Sequence, residues 1–250
     1  MDIMDTREKL KELIKSSSNI VFFGGAGVST ESNIPDFRSE EGLYKTKSNF
    51  SYSPEVMLSH SFFKEHTEDF FDFYKEKMIY KYAKPNLAHH ALAKLEKVGK
   101  LKAIITQNID GLHQLAGSKN VIELHGGVGR NYCIDCNKFF DLNYILNNKE
   151  VVPKCDVCGG IVKPDVVLYE EPLNMDNINN AVRYVENADV LIVGGTSLVV
   201  YPAANLIHYY KGNKLVLINK SSTPYDRKAQ IVINDSIGSI LGGIVEELGY

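Results

Sequence analysis

The sequence contains no apolar run that approaches the roughly 20 residues needed to cross a bilayer. Its first residues, Met1 to Asp5, lack the basic flank and apolar core of a secretory signal peptide. The net charge is only −3, so no strong overall field draws the protein to nucleic acid or to an anionic membrane. Repeats, low-complexity tracts and an obvious oligomerisation segment are also missing. These absences predict a cytoplasmic monomer with no membrane partner and no strong nucleic-acid binding.

Cysteine is scarce, and its four residues form two Cys-x-x-Cys pairs, Cys133 with Cys136 and Cys155 with Cys158. Four thiolates at this spacing are typical of a structural zinc ribbon that binds one ion. Two disulfides are the alternative, which the missing secretory signal disfavours. A site with four thiolate ligands has no open position for a substrate, so we expect it to support folding rather than chemistry.

The remaining composition is that of an ordinary globular protein of 250 residues, with 44% hydrophobic and 24% charged residues. Short apolar runs alternate with helical patterns, which predicts an α/β fold with a doubly wound parallel sheet. Strands are predicted over residues 20–23, 101–105, 121–124, 189–193, 214–218 and 231–233. Helices are predicted over residues 5–17, 86–99, 174–187 and 236–248, with further helices that start at Ser53-Pro54 and at Thr67. Asp5 and Glu8 are placed as a capping box.

Seven side chains between residues 62 and 78 are aromatic or Met and suggest a ligand box, but most recur at helical spacing, which favours a packed core. They are Phe62, Phe63, Phe70, Phe71, Phe73, Tyr74 and Met78. His89 and His90 on the following helix have no partner at metal-binding spacing, so we expect both to be structural.

Polar or glycine-rich segments follow five of the predicted strands, at the edge where ligands bind in open parallel sheets. After the first strand, Gly25 and Gly27 fit the dinucleotide pattern G-x-G-x-x-G, but Thr30 stands where the third glycine belongs. That motif alone hardly separates a pyrophosphate site from a tight turn. In the next loop, Arg38 suits a phosphate and Phe37 suits a ring, with an ordinary surface loop as the alternative.

The second strand leads into a polar stretch, residues 106–113, in which Asn108 and Asp110 suit water positioning, a carboxamide ligand or charge stabilisation. A polar loop that caps a helix is the alternative. His125 follows the third strand beside two glycines, where it can act as a general base. Gly194 to Ser197 suits a phosphate, and Asn219 can hydrogen-bond a ribose. The convergence of these segments on one edge predicts a dinucleotide site.

With these residues assembled, the chain resembles the sirtuins, the NAD-dependent protein deacylases, over nearly its whole length. The motifs that carry the resemblance are specific in their order and spacing. They are Gly25-Ala-Gly-Val-Ser29, Ile34-Pro-Asp-Phe-Arg38, Thr106-Gln-Asn-Ile-Asp110, Leu124-His-Gly126, the paired Cys-x-x-Cys and Gly195-Thr-Ser197.

The resemblance implies a Rossmann-type domain and a smaller one made of a helical module and an inserted zinc ribbon. The Rossmann-type domain would comprise residues 1–44, 86–125 and 172–250. The helical module would span residues 45–85 and the ribbon residues 126–171. NAD would bind in the cleft between the two domains, and the peptide would add there as a strand. The edges for that strand would be residues 166–171 and 197–201.

The resemblance also implies roles for single residues. His125 would be the general base, and Asn108 would orient water or the ribose. Phe37, Ile109 and Asp110 would form the nicotinamide pocket, and Arg38 would help fix the loop over it. The rest of the dinucleotide would contact Ala26, Gly27, Thr30, Gln107, Gly195, Thr196, Ser197, Asn219 and Ile237. The substrate peptide would contact Val166, Tyr169, Glu170 and Val199.

The implied reaction consumes NAD as a co-substrate. The acetyl-lysine carbonyl oxygen attacks the ribose as nicotinamide departs, and His125 deprotonates a ribose hydroxyl that attacks the resulting imidate. The products are free lysine, nicotinamide and O-acetyl-ADP-ribose, so the partners would be acetylated protein lysines. Residues 74–80 contain no Arg of the Tyr-x-x-Arg pair that binds acidic acyl groups in some members. We therefore expect neutral acyl groups, acetyl first.

Several positions depart from the usual pattern of the family: Gly24, Asn33, Lys163, Tyr169 and Glu170. Asn33 replaces a glycine, but Asn tolerates positive φ better than most residues, so the turn should survive. Glu170 replaces a frequent glycine and can alter substrate preference.

Three other functions compete with this prediction. An ADP-ribosyltransferase would use the same NAD site. A dehydrogenase is disfavoured by the incomplete fingerprint and by the lack of an evident acidic residue after a second strand. A docking role for the ribbon is disfavoured because its basic residues, Arg130, Lys138 and Lys149, are balanced by acidic ones.

Overall fold

The computed structural model describes residues 3–37, 42–43 and 51–250. Strands and helices alternate along most of the chain. The strands are β1 (Ile20–Gly24), β2 (Leu101–Thr106), β3 (Val121–Glu123), β4 (Gly126–Cys133), β5 (Phe139–Asp141), β6 (Val162–Val166), β7 (Val190–Gly194), β8 (Leu215–Ile218) and β9 (Ile231–Ile233). The helices are α1 (Ile3–Ser16), α2 (Pro54–Met57), α3 (His60–Glu65), α4 (Thr67–Lys77), α5 (Leu87–Lys97), α6 (Leu112–Leu115), α7 (Leu142–Asn147), α8 (Met175–Asn187) and α9 (Ile237–Glu247).

Six strands form one sheet in the order β3-β2-β1-β7-β8-β9, and every pair in it is parallel. The chain winds outward from β1 in one direction to β2 and β3, and later returns to build β7, β8 and β9 on the other side. The strand order therefore reverses between β1 and β7, which is where ligands bind in folds of this kind. The predicted doubly wound sheet is confirmed.

Two apolar layers bury the faces of this sheet, because its strands are apolar at almost every position. Phe22 on β1 packs with α1, α5 and α9 on one face, and its neighbour Phe23 packs with α8 on the opposite face. Both rings are essentially inaccessible to solvent. Successive side chains of a strand point to opposite faces, so a run without polar residues supplies both layers at once.

The first helix begins earlier than the sequence predicts, and its predicted cap is wrong. Because α1 already includes Ile3, Asp5 lies inside the first turn and is not the capping residue. Its carboxylate instead accepts a hydrogen bond from Lys9 Nζ at 2.7 Å, one turn further along the helix. A pair of opposite charges at this spacing supports the exposed face of a helix.

The helices α2, α3 and α4 enclose the aromatic residues, which confirms the core prediction. Phe62, Phe63, Phe70, Phe71, Phe73 and Tyr74 are buried, and Met78 packs against them. Phe63 and Phe70 meet edge to face with their ring centroids 5.0 Å apart, the geometry that aromatic pairs prefer. The predicted helix starts at Ser53-Pro54 and at Thr67 are confirmed. The predicted helical stretch also includes residues 40–41 and 44–50, which lie outside the described residues.

A second, antiparallel sheet has the strand order β5-β4-β6. In sequence it lies between β3 and α8, so it interrupts the chain of the parallel sheet as predicted for the ribbon. Its β4 begins at Gly126, three residues after the last residue of β3. The two sheets are therefore joined directly at Leu124 and His125. Among the described residues, no helix is long and apolar enough to span a membrane.

Candidate functional site

The loops that follow the parallel strands meet at one edge of the sheet, as the sequence predicts. Gln107 donates its backbone N–H to Gly24 O at 3.0 Å, which joins the loops after β2 and β1. Gly195 donates to Ile218 O at 3.1 Å, which joins the loops after β7 and β8. Leu124 donates to Thr106 O at 2.9 Å and adds the segment after β3. The five polar segments thus lie side by side along this edge of the sheet and form the lining of the candidate site.

The glycines of this lining pack against each other, a contact that the sequence pattern does not predict. The N–H of Gly27 donates to Gly195 O at 2.8 Å, and a Cβ on Gly27 would lie 2.8 Å from the Cα of Gly195. Gly195 has a φ of 60°, and its own Cβ would collide with Val28 N. Only glycine allows two backbones to approach so closely. These contacts hold the loops after β1 and β7 together at the point where the strand order reverses.

Thr30, which replaces the third glycine of the fingerprint, has a structural role of its own. Its Oγ1 donates to Gly27 O at 3.0 Å and so closes two consecutive 3-10 turns, Ala26–Val28 and Thr30–Ser32. Asn33 ends the second turn with φ 60° and ψ 29°, the left-handed conformation. The expectation that Asn preserves this turn in place of glycine is confirmed.

Asn219, at the end of β8, presents a buried donor toward this lining. Its Oδ1 accepts from the backbone N–H of Thr196 at 2.8 Å, while its Nδ2 is buried without a partner among the described residues. A buried amide group without a hydrogen bond costs about 1–3 kcal/mol, so a ligand acceptor at this position would stabilise the arrangement. A ribose hydroxyl fits that requirement.

The neighbours of Asn219 complete this half of the site. Thr196 is buried, and its Oγ1 accepts from Gln107 Nε2 at 3.4 Å. Ser197 is exposed and Ile237 is buried. A Cβ on Gly194 would collide with Cδ1 of Ile237, so the start of α9 lies directly against the end of β7. The structure therefore brings together the predicted residues of the loops after β7 and β8.

Asn108 and Asp110 are connected through Ser29, a residue to which the sequence analysis assigned no role. Ser29 Oγ donates to Asp110 Oδ2 at 2.7 Å and accepts from Asn108 Nδ2 at 3.0 Å. Asp110 Oδ1 accepts from the backbone N–H of Leu112 at 2.8 Å. Burial raises the pKa of the Asp110 carboxyl above its ordinary value, and the hydrogen bonds from Leu112 and Ser29 oppose that shift. Asn108 and Asp110 are thus fixed in orientation.

Two of the residues predicted for a ring pocket, Phe37 and Ile109, are partly buried and pack against the aromatic cluster of α2, α3 and α4. Ile109 lies between Asn108 and Asp110 in the sequence, so it supplies apolar surface next to these two side chains. Arg38, predicted to help fix the loop over the same pocket, lies outside the described residues. Ser29 is the last residue of the motif Gly25 to Ser29. A hydroxyl side chain at that position is the sequence feature from which its polar role could have been predicted.

His125 is held at the junction of the two sheets by its ring. Its Nδ1 lies 2.8 Å from Gln107 O. A carbonyl can only accept, so Nδ1 carries the hydrogen and Nε2 of the neutral ring is left as an acceptor. Burial lowers the pKa of His125 below its ordinary value of 6.5, and the hydrogen bond to Gln107 opposes this shift. The neutral ring that predominates at pH 7 can accept a proton at Nε2.

The glycine after His125 is required by the backbone. Gly126 has a φ of 74°, and a Cβ there would collide with the carbonyl oxygen of Asp165 on β6. The main chain of β4 therefore passes directly against β6 next to the histidine. Val167, just beyond β6, donates its N–H to His125 O at 3.0 Å.

The residues predicted to contact the substrate lie on two loops. Val166 is buried in the aromatic cluster and is paired with Gly126, so it adjoins the histidine. Tyr169 and Glu170 follow it and are exposed. Val199, on the loop after β7, is 45% exposed. Val166 is thus buried next to the histidine, whereas Tyr169, Glu170 and Val199 are exposed to solvent.

The four cysteines converge at one end of the antiparallel sheet. All four Sγ atoms lie within 4.8 Å of one another, with Cys133 3.4 Å from Cys158 and Cys136 3.6 Å from Cys155. Four sulfurs around one zinc at about 2.3 Å stand about 3.8 Å apart, so the cluster fits a single tetrahedral ion. The four thiols are free, which agrees with the zinc prediction and not with disulfides.

His89 and His113 are buried and form a pair with ring centroids 4.7 Å apart. His89 Nδ1 accepts from the backbone N–H of Asn86 at 3.2 Å, within the capping box that starts α5. The nitrogens of His113 and the Nε2 of His89 have no partner among the described residues. Burial lowers the pKa of His89 to about 4 and that of His113 to about 3. His89 is structural, as predicted.

Comparison with known proteins agrees with this geometry. The model of the Sir2 family matches residues 25–202. An NAD-dependent protein deacetylase of Clostridium tetani (strain Massachusetts / E88) is 98% identical over 247 residues, which cover 99% of this chain and all of that protein. The NAD-dependent protein deacetylase of Clostridium acetobutylicum is 69% identical over 245 residues, which cover 98% of this chain and all of that protein.

A solved structure described as Sir2 with a p53 peptide and NAD+ is also similar. Its TM-score with this chain is 0.85 at 41% identity, and the match covers 100% of this chain and 99% of that one. The resemblance found in the motifs is thereby confirmed, and the chain belongs to the Sir2 family.

Proposed function

We propose that this protein removes acetyl groups from lysine side chains of proteins in a reaction that consumes NAD. The observation that carries the proposal is the position of His125. Its ring is fixed by Gln107 O, its Nε2 is an available acceptor, and it lies beside the Asn108–Ser29–Asp110 hydrogen bonds. Relatives named NAD-dependent protein deacetylase match this chain over their whole length, so the proposal concerns the complete activity.

His125 acts as the general base of this reaction. NAD supplies the ribose carbon to which the acetyl oxygen adds as nicotinamide leaves. The neutral imidazole then accepts the proton of a ribose hydroxyl at Nε2, and the hydroxyl oxygen adds to the imidate carbon. One water molecule is consumed as the lysine amine leaves, so the products are lysine, nicotinamide and O-acetyl-ADP-ribose. The hydrogen bond to Gln107 keeps the tautomer and the ring orientation of His125 fixed. Because the pKa of His125 is lowered, the ring does not need to lose a proton before it acts at neutral pH.

Nicotinamide binds between apolar and polar groups of the same loops. Phe37 and Ile109 provide the apolar surface, and Asp110 provides a fixed carboxyl that can accept a hydrogen bond from a carboxamide. Arg38 helps to fix the loop above the ring. Asn108 orients water or the ribose, and its contact with Ser29 keeps that amide in place.

The remainder of the dinucleotide lies along the loops after β1, β7 and β8. Asn219 donates its unpartnered Nδ2 to a hydroxyl of the adenosine ribose. The residues that line the phosphates and adenine are Ala26, Gly27, Thr30, Gln107, Gly195, Thr196, Ser197 and Ile237. Glycine packing between Gly27 and Gly195 fixes the backbone donors of this part before any ligand arrives, which limits the ordering cost of binding.

We propose that Cys133, Cys136, Cys155 and Cys158 hold one structural zinc ion, and that two domains of discontinuous sequence enclose the cleft. Residues 1–44, 86–125 and 172–250 form the larger domain, and residues 45–85 and 126–171 form the smaller one. The peptide enters between them as an added strand along residues 166–171 and 197–201. Its contacts include Val166, Tyr169, Glu170 and Val199.

Acyl groups without charge are the preferred substrates. Met78 and Ile79 are partly buried against the aromatic cluster, and no Arg occurs between Tyr74 and Tyr80 to bind an acidic acyl group. Acetyl-lysine peptides should therefore have a higher kcat/KM than succinyl-lysine peptides of the same sequence. A higher value for the succinyl peptide would contradict this preference, and a propionyl peptide tests whether a longer neutral group is accepted.

We further propose that the protein acts in the cytoplasm as a monomer. Its four free thiols match a reducing compartment. Light scattering of the purified protein between micromolar and submillimolar concentration tests the monomer, and a mass that rises toward twice the chain mass contradicts it.

The deciding experiment measures nicotinamide release from NAD with and without an acetyl-lysine peptide and follows the peptide mass in parallel. We expect release that depends on the peptide and that equals the loss of acetyl groups. The non-acetylated peptide and His125→Ala are the matched controls. Release with ADP-ribose on protein would instead support a transferase, NADH absorbance would support a dehydrogenase, and no release from zinc-loaded protein would refute the proposal.

A further inference from the structure

The segment after β6, residues 167–171, is bonded to the active-site histidine at one end and to α3 at the other. Val167 N–H donates to His125 O at 3.0 Å. Tyr169 N–H donates to Leu58 O at 2.9 Å, and its own carbonyl accepts from His60 N–H at 3.0 Å. This is the segment along which the acetylated peptide is proposed to pair.

Glu170 adopts a backbone conformation that is unfavourable for its residue type. Its φ is 75°, in the left-handed region that glycine enters freely and a residue with a Cβ does not. Such a conformation persists only where the surrounding contacts hold it.

The side chain of Glu170 provides contacts of that kind. Its Oε2 accepts from the backbone N–H of Ser61 at 2.9 Å, and its Oε1 accepts from Ser61 Oγ at 3.0 Å. Ser61 is the second residue of α3, so its N–H has no partner within the helix. One carboxylate thus satisfies two donors and ties the strained residue to α3.

The next residue, Glu171, makes a second set of contacts to the same turn. Its Oε1 lies 2.8 Å from His60 Nδ1, and its Oε2 accepts from Leu168 N–H at 2.9 Å and from Lys163 Nζ at 3.3 Å. Two consecutive carboxylates therefore hold two consecutive residues of α3. Glu171 folds the segment back on itself, whereas Glu170 fixes the conformation of the segment where it is exposed.

We propose that Glu170 is a positioning residue for the acetylated peptide. By holding its own backbone in the left-handed conformation through Ser61, it fixes the exposed end of the segment 167–171 for pairing with the incoming strand. The main-chain N–H groups of Val167, Leu168 and Tyr169 are already bonded within the protein. The inference rests on the proposed function, since it concerns how that site binds its substrate. Strand addition depends on a row of backbone groups at fixed positions, so an edge that is ordered beforehand binds more tightly.

Three substitutions separate the backbone requirement from the anchoring contact. Glu170→Ala keeps the Cβ and its strain but removes the anchor. Glu170→Gly removes the anchor and tolerates the φ angle, and Glu170→Gln keeps both the Cβ and an acceptor for Ser61. We expect the Kd and KM for the acetyl-lysine peptide to rise about 10-fold in the Ala variant, about 3-fold in the Gly variant and less than about 2-fold in the Gln variant.

The measurements are calorimetric titration with an acetyl-lysine peptide and steady-state kinetics with the peptide and NAD varied separately. The KM for NAD should stay within about twofold of the unsubstituted protein in all three variants, because these contacts lie on the peptide side of the cleft. Glu186→Ala is the matched control, since it removes a carboxylate that pairs with Lys211 on the surface at 3.0 Å. Unfolding temperatures are recorded for every variant.

An unchanged peptide Kd in both the Ala and the Gly variant would overturn the inference, even if their unfolding temperatures fall. An equal rise in the KM for peptide and for NAD would also overturn it, because that result indicates general loosening. Peptide binding without nicotinamide release by the unsubstituted protein would refute the proposed function, while the Kd series would still test Glu170. If the unsubstituted protein binds no acetyl-lysine peptide, both proposals fail.

Discussion

At the scale of single residues, the orientation of His125 is set by main-chain geometry rather than by another side chain. The Nδ1–H donates to a carbonyl oxygen, so no carboxylate is needed to hold the tautomer. A carbonyl is neutral, so it stabilises a protonated ring less than an adjacent carboxylate would. The arrangement therefore suits a base that is mostly neutral before it acts.

Replacement of His125 by Ala should lower kcat by about 100- to 10,000-fold, the range over which a positioned general base contributes. The fold should survive, because the lost ring makes one hydrogen bond to Gln107 and no ion pair with the described residues. Peptide turnover and the unfolding temperature check this prediction. His90→Ala, an exposed histidine on α5, is the control, and retained turnover in His125→Ala would remove the residue from the base role.

Ser29 is the second residue for which a large effect is expected. Ser29→Ala leaves Asn108 Nδ2 and one oxygen of Asp110 without their common partner, and a buried polar group that loses its partner costs about 1–3 kcal/mol. We expect kcat/KM for NAD to fall roughly 5- to 150-fold, with a smaller effect on the KM for peptide. Ser16→Ala, at the exposed end of α1, is the matched control. Equal activity of the two variants would show that the serine hydroxyl has no part in the site.

At the scale of secondary structure elements, the antiparallel sheet depends on its four thiols. Cys133 lies at the end of β4 and Cys155 between β5 and β6, so an ion held by both pairs closes the sheet. This sheet buries few apolar side chains around its cysteines, among them Phe140, Ile145 and Val162. A small cluster of this kind needs a metal or another crosslink for stability.

Cys133→Ser should therefore lose zinc and destabilise the module that holds it. The zinc content measured by elemental analysis should fall from one ion per chain to a small fraction, and the unfolding temperature should fall with it. Lys149→Ala, an exposed change in the same module, should leave both quantities unchanged. Full zinc content and unchanged stability in Cys133→Ser would contradict a structural site.

The six strands of the parallel sheet were predictable because each is a mainly apolar run whose side chains are mostly buried. The strands β4, β5 and β6 were not predicted, because glycine, polar and charged residues interrupt their apolar positions. The predicted strand over 231–233 coincides with β9, and the one over 20–23 is extended only by Gly24. The prediction of a capping box at Asp5 was wrong because the helix already begins at Ile3, and no residue before Asp5 interrupts it. The other predicted helix starts agree with the structure, since Ser53, Asn86, Asn174 and Ser236 are the caps of their helices and α4 begins at Thr67.

The contacts within the site were predictable only in part. The sequence identifies polar strand ends, but the pairing of Gly27 with Gly195 joins residues far apart in sequence and depends on how closely two loops pack. The role of Ser29 between Asn108 and Asp110 depends in the same way on the loops after β1 and β2. Glu170 shows the reverse case, since its residue type argues against the left-handed backbone that Ser61 stabilises.

At the scale of the whole molecule, acid stability should depend on the buried pair His89 and His113. In the unfolded chain their pKa is about 6.5, whereas in the folded protein burial lowers it to about 4 and about 3. The unfolded state therefore binds more protons below pH 6.5. The stability that the neutral pair contributes to the folded state is fully present above pH 6.5 and is lost as the pH falls toward 4.

Lowering the pH from 7 to 5 should reduce the free energy of unfolding by about 2 kcal/mol for each histidine of the pair. His113→Leu removes one of them, so its unfolding temperature should fall less between these two pH values than that of the unsubstituted protein. Lys149→Ala, an exposed change in the module of the antiparallel sheet, should not change this difference. An equal pH dependence in His113→Leu and the unsubstituted protein would contradict the assignment.

The two attachments of His125 also restrict how the two sheets can move relative to each other. Its ring is bonded to Gln107 on the six-stranded sheet, and its main-chain carbonyl is bonded to Val167 beside the three-stranded sheet. A rotation of one sheet relative to the other leaves both bonds intact only if its axis passes close to residues 125 and 126. With an axis there, the ring of His125 would stay almost stationary, and displacements would grow with distance from residues 125 and 126. His125 would then be the fixed point of any such motion.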